Sequence, residues 1–364
     1  MDIIGIGYMG FETANLDVWR EYGPQVMGFG IGKSPESDPQ SLYFRIDDRR
    51  HRFAFHPGKV DRLAYIGWEA LGRMAFEDGL RKLEAAGVEF TRGDAAFCEL
   101  RGVREVVRFR DPVGYQYELF YGQKWTPRSF IPGRPHTGFL ADERGAGHVV
   151  VITPEYGPEL ERFLLEVMGF HWYGAGAGKG RTGFFRAKLN NHTSHDIAYG
   201  HGPGRMGVQH VGLFVRNVRD VGETYDIVRK RELPMMMTLG QHSQDPHLSF
   251  YHFTPSGFAF EDHRRNRALA GRPFELNPET LSLWGHEMVG PILGPSVRTP
   301  EEVLDAGVLG REEALSVRLA RSPRLARLLG AARPGPAPPA AYSRAVLCLG
   351  TSSGPGRQGL SGAG

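Results

Sequence analysis

Asp111-Pro-Val-Gly-Tyr-Gln-Tyr-Glu118 and Thr254-Pro-Ser-Gly-Phe-Ala-Phe-Glu261 share one pattern. In each, Pro-x-Gly marks a turn and the alternation after it reads as a β-strand that ends on a glutamate. A second echo lies upstream of each. Gly7-Tyr8-Met9-Gly10-Phe11 and Gly147-His148-Val149-Val150-Val151 are strand-like. Each precedes a helical stretch, Asn15–Met27 and Gly157–Met168, that ends at Met-Gly-Phe, where the glycine suits a helix C-terminus. Gly23-Pro24 is a potential break in the first of these helices.

Each half divides again. Leu63–Trp68 reads as a strand leading into an amphipathic helix, Gly72–Ala86, in which Phe76, Leu80 and Leu83 share a face. Val208–Val215 leads in the same way into a helix over Val218–Lys230. The order of strand, helix and several strands therefore occurs four times. This predicts an α+β chain of four βαβββ modules, paired into domains over 1–135 and 136–300. Residues 264–300 show few strand signals and are expected to wrap the second domain.

Residues 301–364 read as a basic tail rich in Pro, Gly and Ala, helical at first from Pro300 and disordered beyond Ala332. After Glu313 there are seven arginines and no Asp, Glu or Lys, so the net charge of +3 conceals an acidic folded part. The first 300 residues show no basic patch with interleaved aromatics, which excludes nucleic acid as an expected partner. No apolar run is long enough for a membrane helix. Met1–Gly10 lacks the features of a secretory signal, and the two cysteines, Cys98 and Cys348, form no pair in sequence. A cytoplasmic enzyme or binding protein is the expectation.

Three residues carry the chemistry. His148 opens the first strand of the third module, His210 lies in the first strand of the fourth, and Glu261 lies in its last strand. Equivalent strands of paired modules can line a shared cup. Two histidines and one carboxylate there form a facial triad that suits Fe(II) or, second, Mn(II), with three positions open. The first half is an internal control. Tyr8 stands where His148 does, Leu63-Ala-Tyr-Ile-Gly67 has no histidine, and only Glu118 is kept. It reads as a metal-free duplicate.

The order of Gly-His148-Val-Val-Val, Gln-His210-Val-Gly-Leu-Phe-Val, His242-Ser-Gln-Asp245, Ser-Phe-Tyr251 and Thr-Pro-Ser-Gly-Phe-Ala-Phe-Glu261 resembles the type I extradiol catechol dioxygenases. These belong to the vicinal oxygen chelate (glyoxalase-like) superfamily. The two-domain 2,3-dihydroxybiphenyl 1,2-dioxygenase type is the nearest in pattern, over roughly residues 2–290, with Leu283-Trp-Gly-His286 near the end. The resemblance implies Fe(II) held by His148, His210 and Glu261. It implies His195 as acid/base, His242 and Tyr251 as groups that hydrogen-bond the substrate, and Asp245 as a carboxylate that orients a histidine. It further implies ring opening of a catechol beside its diol by O2, a bulky biaryl or polycyclic substrate, and a homo-oligomer. Ser194 before His195, and Pro246-His247 after Asp245, depart from the family pattern.

Two other readings compete. A glyoxalase-type isomerase on the same modules would need a fourth protein ligand. A metal-free binder of small aromatics would have no use for two histidines and a glutamate at matched positions.

Overall fold

The computed structural model describes residues 1–141, 145–175, 182–190, 193–243, 247–265, 282–299 and 302. Each module is a strand, a helix and three strands. The first contains β1 (Ile3–Thr13), α1 (Leu16–Tyr22), β2 (Gly30–Ile31), β3 (Leu42–Arg45) and β4 (Phe53–Pro57). The second contains β5 (Arg62–Ala70), α2 (Arg73–Ala85), β6 (Phe90–Arg92), β7 (Glu105–Arg110) and β8 (Gln116–Tyr121), with an added helix α3 (Ala95–Arg101). The third contains β9 (His148–Thr153), α4 (Pro158–Arg162), β10 (His171–Ala175), β11 (Thr182–Arg186) and β12 (Ile197–His201). The fourth contains β13 (Gly207–Phe214), α5 (Val218–Lys230), β14 (Met235–His242), β15 (His247–Phe253) and β16 (Ala259–Arg265), extended by β17 (Ser282–Gly285).

The two halves have the same topology. Modules one and two form a sheet in the order β2-β3-β4-β1-β5-β8-β7-β6, and modules three and four repeat it as β10-β11-β12-β9-β13-β16-β15-β14, with β17 at the edge. At each centre the two opening strands pair antiparallel and are flanked by parallel neighbours. The reason lies in the alternation. On β16, Phe258 (just before it) and Phe260 face the core, where Phe258 stacks on Phe11 at 4.9 Å and Phe260 meets Trp19 and Phe29 edge-on. Ala259, Glu261 and His263 take the opposite face by the period of two. One apolar core thus joins both sheets, and the opposite face of each is left for a site.

Two helices follow their expected faces. Phe76, Leu80 and Leu83 are buried on α2, and Val221, Thr224 and Val228 on α5, whose start is capped by Asn217 Oδ1 accepting from Arg219 N–H. The helix expected within 15–27, with Gly23-Pro24 as its potential break, is α1 to Tyr22, continued over Gly23–Met27 as a wider π-turn around Pro24. One expectation needs correction. Residues 264–300 do contain a strand, β17, whose short Ser-Leu-Trp-Gly run is too brief to show a period. The tail beyond 302 lies outside the described residues.

Candidate active site

β13 is the floor of the second half's site, and its Gly212 is what makes the site possible. Gly212 pairs with His148 on one side and Glu261 on the other. Having no side chain, it lets the flanking residues lean over it. A Cβ at Gly212 would stand 2.1 Å from His148 Cε1 and 2.3 Å from Nε2. His210, two residues earlier on the same face, closes the third side.

His148 Nε2 lies 3.1 Å from His210 Nε2 and 3.2 Å from Glu261 Oε2, and His210 Nε2 lies 3.6 Å from the same oxygen. Three donor atoms thus converge in a buried place where a shared cation would satisfy them together. Ligands about 2.1 Å from one ion and at right angles stand roughly 3 Å apart, so the spacing fits a single metal. His210 Nδ1–H donates to Gln209 Oε1 at 2.5 Å, which directs the Nε2 lone pair inward. Burial holds His210 at about 3, against the pull of Glu261, so the ring is neutral. Burial would raise the Glu261 carboxyl, yet His263, His148 and His210 hold it well below the usual carboxylate range. The neutral His210 ring and the ionised Glu261 carboxylate are in the forms that bind a divalent metal.

His263 also brings a ring nitrogen within 4.8 Å of a ring nitrogen of His148 and a carboxylate oxygen of Glu261. It lies beside the triad, stacked on Phe214 at 3.8 Å. The tighter trio contains His210, and that trio meets the spacing of ligands on one ion.

The remaining expected residues gather around the triad. His195 faces His148 with ring centroids 4.2 Å apart, its Nδ1 2.9 Å from Ser194 Oγ. Tyr251 meets His210 edge-on at 5.1 Å and is joined to His242 Nε2 at 2.6 Å. Asp245 lies outside the described residues. His286, which abuts His242, and His263 were not foreseen as site residues. Both are buried histidines, and β17 had no signal to bring His286 here.

The first half repeats the plan with a different cation. Tyr8, Gly67 and Glu118 stand in register as His148, Gly212 and Glu261 do, and Tyr65 occupies the place of His210. His51, two residues before β4, lies 5.4 Å from Tyr8 much as His195, two residues before β12, lies against His148. Tyr8 Oη donates to Glu118 at 2.7 Å, and the Arg101 guanidinium donates twice to the same carboxylate at 2.9 Å while covering the Tyr65 ring at 3.8 Å. An arginine on the inserted α3 therefore supplies the positive charge. Asp94 at its N-cap and left-handed Gly102 at its end are signals from which α3 could have been read.

Burial of neutral histidines has a consequence for acid stability. His210 and His252 each titrate at about 3 in the fold, against an ordinary 6.5, because burial penalises the charged ring. Between those values the unfolded chain binds protons that the folded chain refuses. The metal-free protein is expected to keep this stability above about pH 6.5 and lose it as pH falls toward 3. The slope approaches about 1.4 kcal/mol per pH unit for each such histidine. Urea midpoints of the wild type and His252→Gln, compared across that range, check it. The comparison is needed because buried Asp111, Asp196 and Asp262, raised by burial to about 6, 7 and 7, tilt the whole-protein profile the other way. Equal slopes would mean that the fold does not hold His252 neutral.

Comparison with known proteins agrees with the geometry. Residues 6–58 match the family model of the dihydroxybiphenyl dioxygenase BphC first domain, and residues 145–262 match the glyoxalase/bleomycin resistance protein/dioxygenase superfamily. An iron-dependent extradiol dioxygenase of Rhodococcus jostii (strain RHA1) is 34% identical over 297 residues, 79% of this chain and 98% of that protein. A biphenyl-2,3-diol 1,2-dioxygenase of Sphingomonas paucimobilis is 34% identical over 260 residues, 70% of this chain and 86% of that protein. The crystal structure of BphC, a halotolerant catechol dioxygenase, matches with a TM-score of 0.73 at 31% identity, over 82% of this chain and 99% of that one. Two modules around a metal-ready triad, two around its arginine-filled copy, and relatives this similar over this much of the chain have one reading: the protein belongs to the extradiol ring-cleaving dioxygenases of the vicinal oxygen chelate type.

Proposed function

We propose that this chain holds one Fe(II) through His148, His210 and Glu261 and opens the ring of a bulky, biaryl or polycyclic catechol beside its diol, using O2. The convergence of three buried donor atoms within 3.6 Å carries the reading. Iron over Mn(II), and a substrate of more than one ring, draw support from the names of the relatives. The domain limits at 135 and 300 and a cytoplasmic homo-oligomer belong to the same proposal.

When bound, iron supplies a charge that lowers a catechol's hydroxyl pKa and an electron path between catechol and dioxygen. The chain's own groups do the rest. His195, against His148 at the edge of the site, is placed to hold a proton and hand it on, a task that suits an imidazole near neutral pH. Tyr251 and His242 orient a substrate hydroxyl. The surrounding aromatic and histidine rings exclude water, which strengthens each polar contact. Asp245 is proposed to steady His242.

His195→Ala is expected to retain iron and lower turnover by about 100- to 10,000-fold, the usual worth of a positioned acid/base group. Unchanged turnover would remove His195 from the mechanism. The proposal as a whole is tested by loading the protein with Fe(II) without air and following O2 uptake and yellow product over a panel of catechols. Uptake coupled to yellow product, best with a two-ring catechol, is the expected result. Bound iron with no uptake for any catechol would shift the chemistry to an isomerase of the same fold.

A further inference from the structure

We propose that Gln209 is a positioning residue that ties the His210 ring to the strap of chain over 290–298, and so sets how tightly the triad holds its metal. The purpose rests on the metal reading above. β13 carries a bulge at this point. Val208 pairs with Val151 and His210 with Val150, so Gln209 is an extra residue with no partner on β9. On a regular strand neighbouring side chains point to opposite faces, and Gln209 would turn away from His210. The bulge re-aims it, and its amide reaches the ring of its own neighbour.

The hydrogen bonds allow one arrangement. A carbonyl oxygen only accepts, so the end of the amide 3.2 Å from Ile292 O is its donating nitrogen. The other end is Oε1, which also only accepts. His210 Nδ1, 2.5 Å away, therefore carries a hydrogen whatever the charge of the ring. That leaves Nε2, on the side of His148 and Glu261, as the nitrogen for a metal. Ile292 O is itself held in place by the strap. Met206 and Arg298 exchange backbone hydrogen bonds at 2.7 and 2.8 Å, and Ser296 Oγ donates to Val208 O at 2.7 Å. The strap lies so close to β13 that a Cβ on Gly207 would stand 2.1 Å from Ser296 O. Turning the ring away from the triad thus breaks a bond whose acceptor is anchored.

The first half shows the same strand without the glutamine. β5 bulges at the matching place, where Tyr65 pairs with Gly10 and Leu63 with Phe11, leaving Ala64 unpaired. Ala64 precedes Tyr65 as Gln209 precedes His210, and its methyl group can hold nothing. Tyr65 Oη meets His56 Nε2 at 2.8 Å instead. The bulge is common to both copies, whereas the amide belongs to the copy with the triad. The fold therefore does not need the glutamine, and the metal ligand beside it does.

Gln209→Ala gives the second half the residue with which the first half already folds. In the whole chain it is expected to weaken Fe(II) binding about 10- to 100-fold, read without air by competition with a chelator. The urea midpoint of the metal-free protein is expected to stay where it is. Gln209→Met keeps the length without the polar end; it is expected to show the same loss, and it decides if the alanine variant does not fold. Gln209→Glu keeps an acceptor for the Nδ1 hydrogen and is expected to restore most of the affinity. The visible spectrum of the Co(II)-loaded proteins is expected to shift in the alanine and methionine variants and to return in the glutamate one. Wild-type Fe(II) affinity in the alanine and methionine variants overturns the proposal, as does a glutamate variant that binds no better than they do. A wild type that binds no Fe(II) overturns the metal reading and this one with it, whereas tight binding indifferent to residue 209 overturns this one alone.

Discussion

Gly212→Ala, the addition of one methyl group, is expected to empty the metal site and lower catechol turnover by at least about 100-fold, the upper end of what displacing a supporting group costs. The added Cβ would fall 2.1 Å from His148 Cε1, a separation no real pair of carbons tolerates. The backbone cannot yield, because Gly212 is held in two ladders at once, to β9 and to β16. The imidazole must therefore swing away and take one of three ligands with it. The fold itself has little reason to suffer, since Gly212 is not among the residues at positive φ. Iron content after anaerobic loading, read beside a urea unfolding curve, separates the two effects. A Gly212→Ala protein with full iron would show that His148 is not a ligand.

Arg101→Met is the second large effect, and it acts on stability alone. Arg101 and Glu118 are both buried, and the guanidinium answers the carboxylate with two hydrogen bonds. Removing one partner of such a pair leaves an uncompensated buried charge, which costs about 3–5 kcal/mol. Replacing both, as Arg101→Met with Glu118→Met, is expected to recover much of that loss, because the pair also sheds its desolvation cost. Urea midpoints of the three proteins check this, with iron binding in the other half unchanged throughout. A loss below about 1 kcal/mol in the single variant would place the pair with ordinary surface bridges.

Much of this architecture is readable in the chain because it was written twice. The two Pro-x-Gly phrases ending at Glu118 and Glu261 fall on β8 and β16, and the two glycine-led strands fall on β1 and β9. The triad was legible for the same reason: a residue that differs between copies, His148 against Tyr8, stands out against what is shared. The helices with clean apolar spacing, α2 and α5, were equally plain. What escaped is what depends on contacts between distant segments. Nothing in the sequence ties Arg101 to Tyr65, which it meets only through the placement of α3. His286 had no partner in sequence until β17 joined β14, and His263 gave no sign that its ring would lie beside Glu261. Gly212 was unremarked because a glycine's role here lies in what leans over it from the next strand. Asp245, read from its place in the motif, falls outside the described residues.

One iron in the second half and none in the first is the central expectation. Anaerobic Fe(II) titration of the wild type, Glu261→Gln and Tyr8→Phe, with iron counted per chain after gel filtration, measures this directly. One iron per chain is expected in the wild type, one in Tyr8→Phe, and none in Glu261→Gln. Two irons per chain, or one that survives Glu261→Gln, would contradict the account.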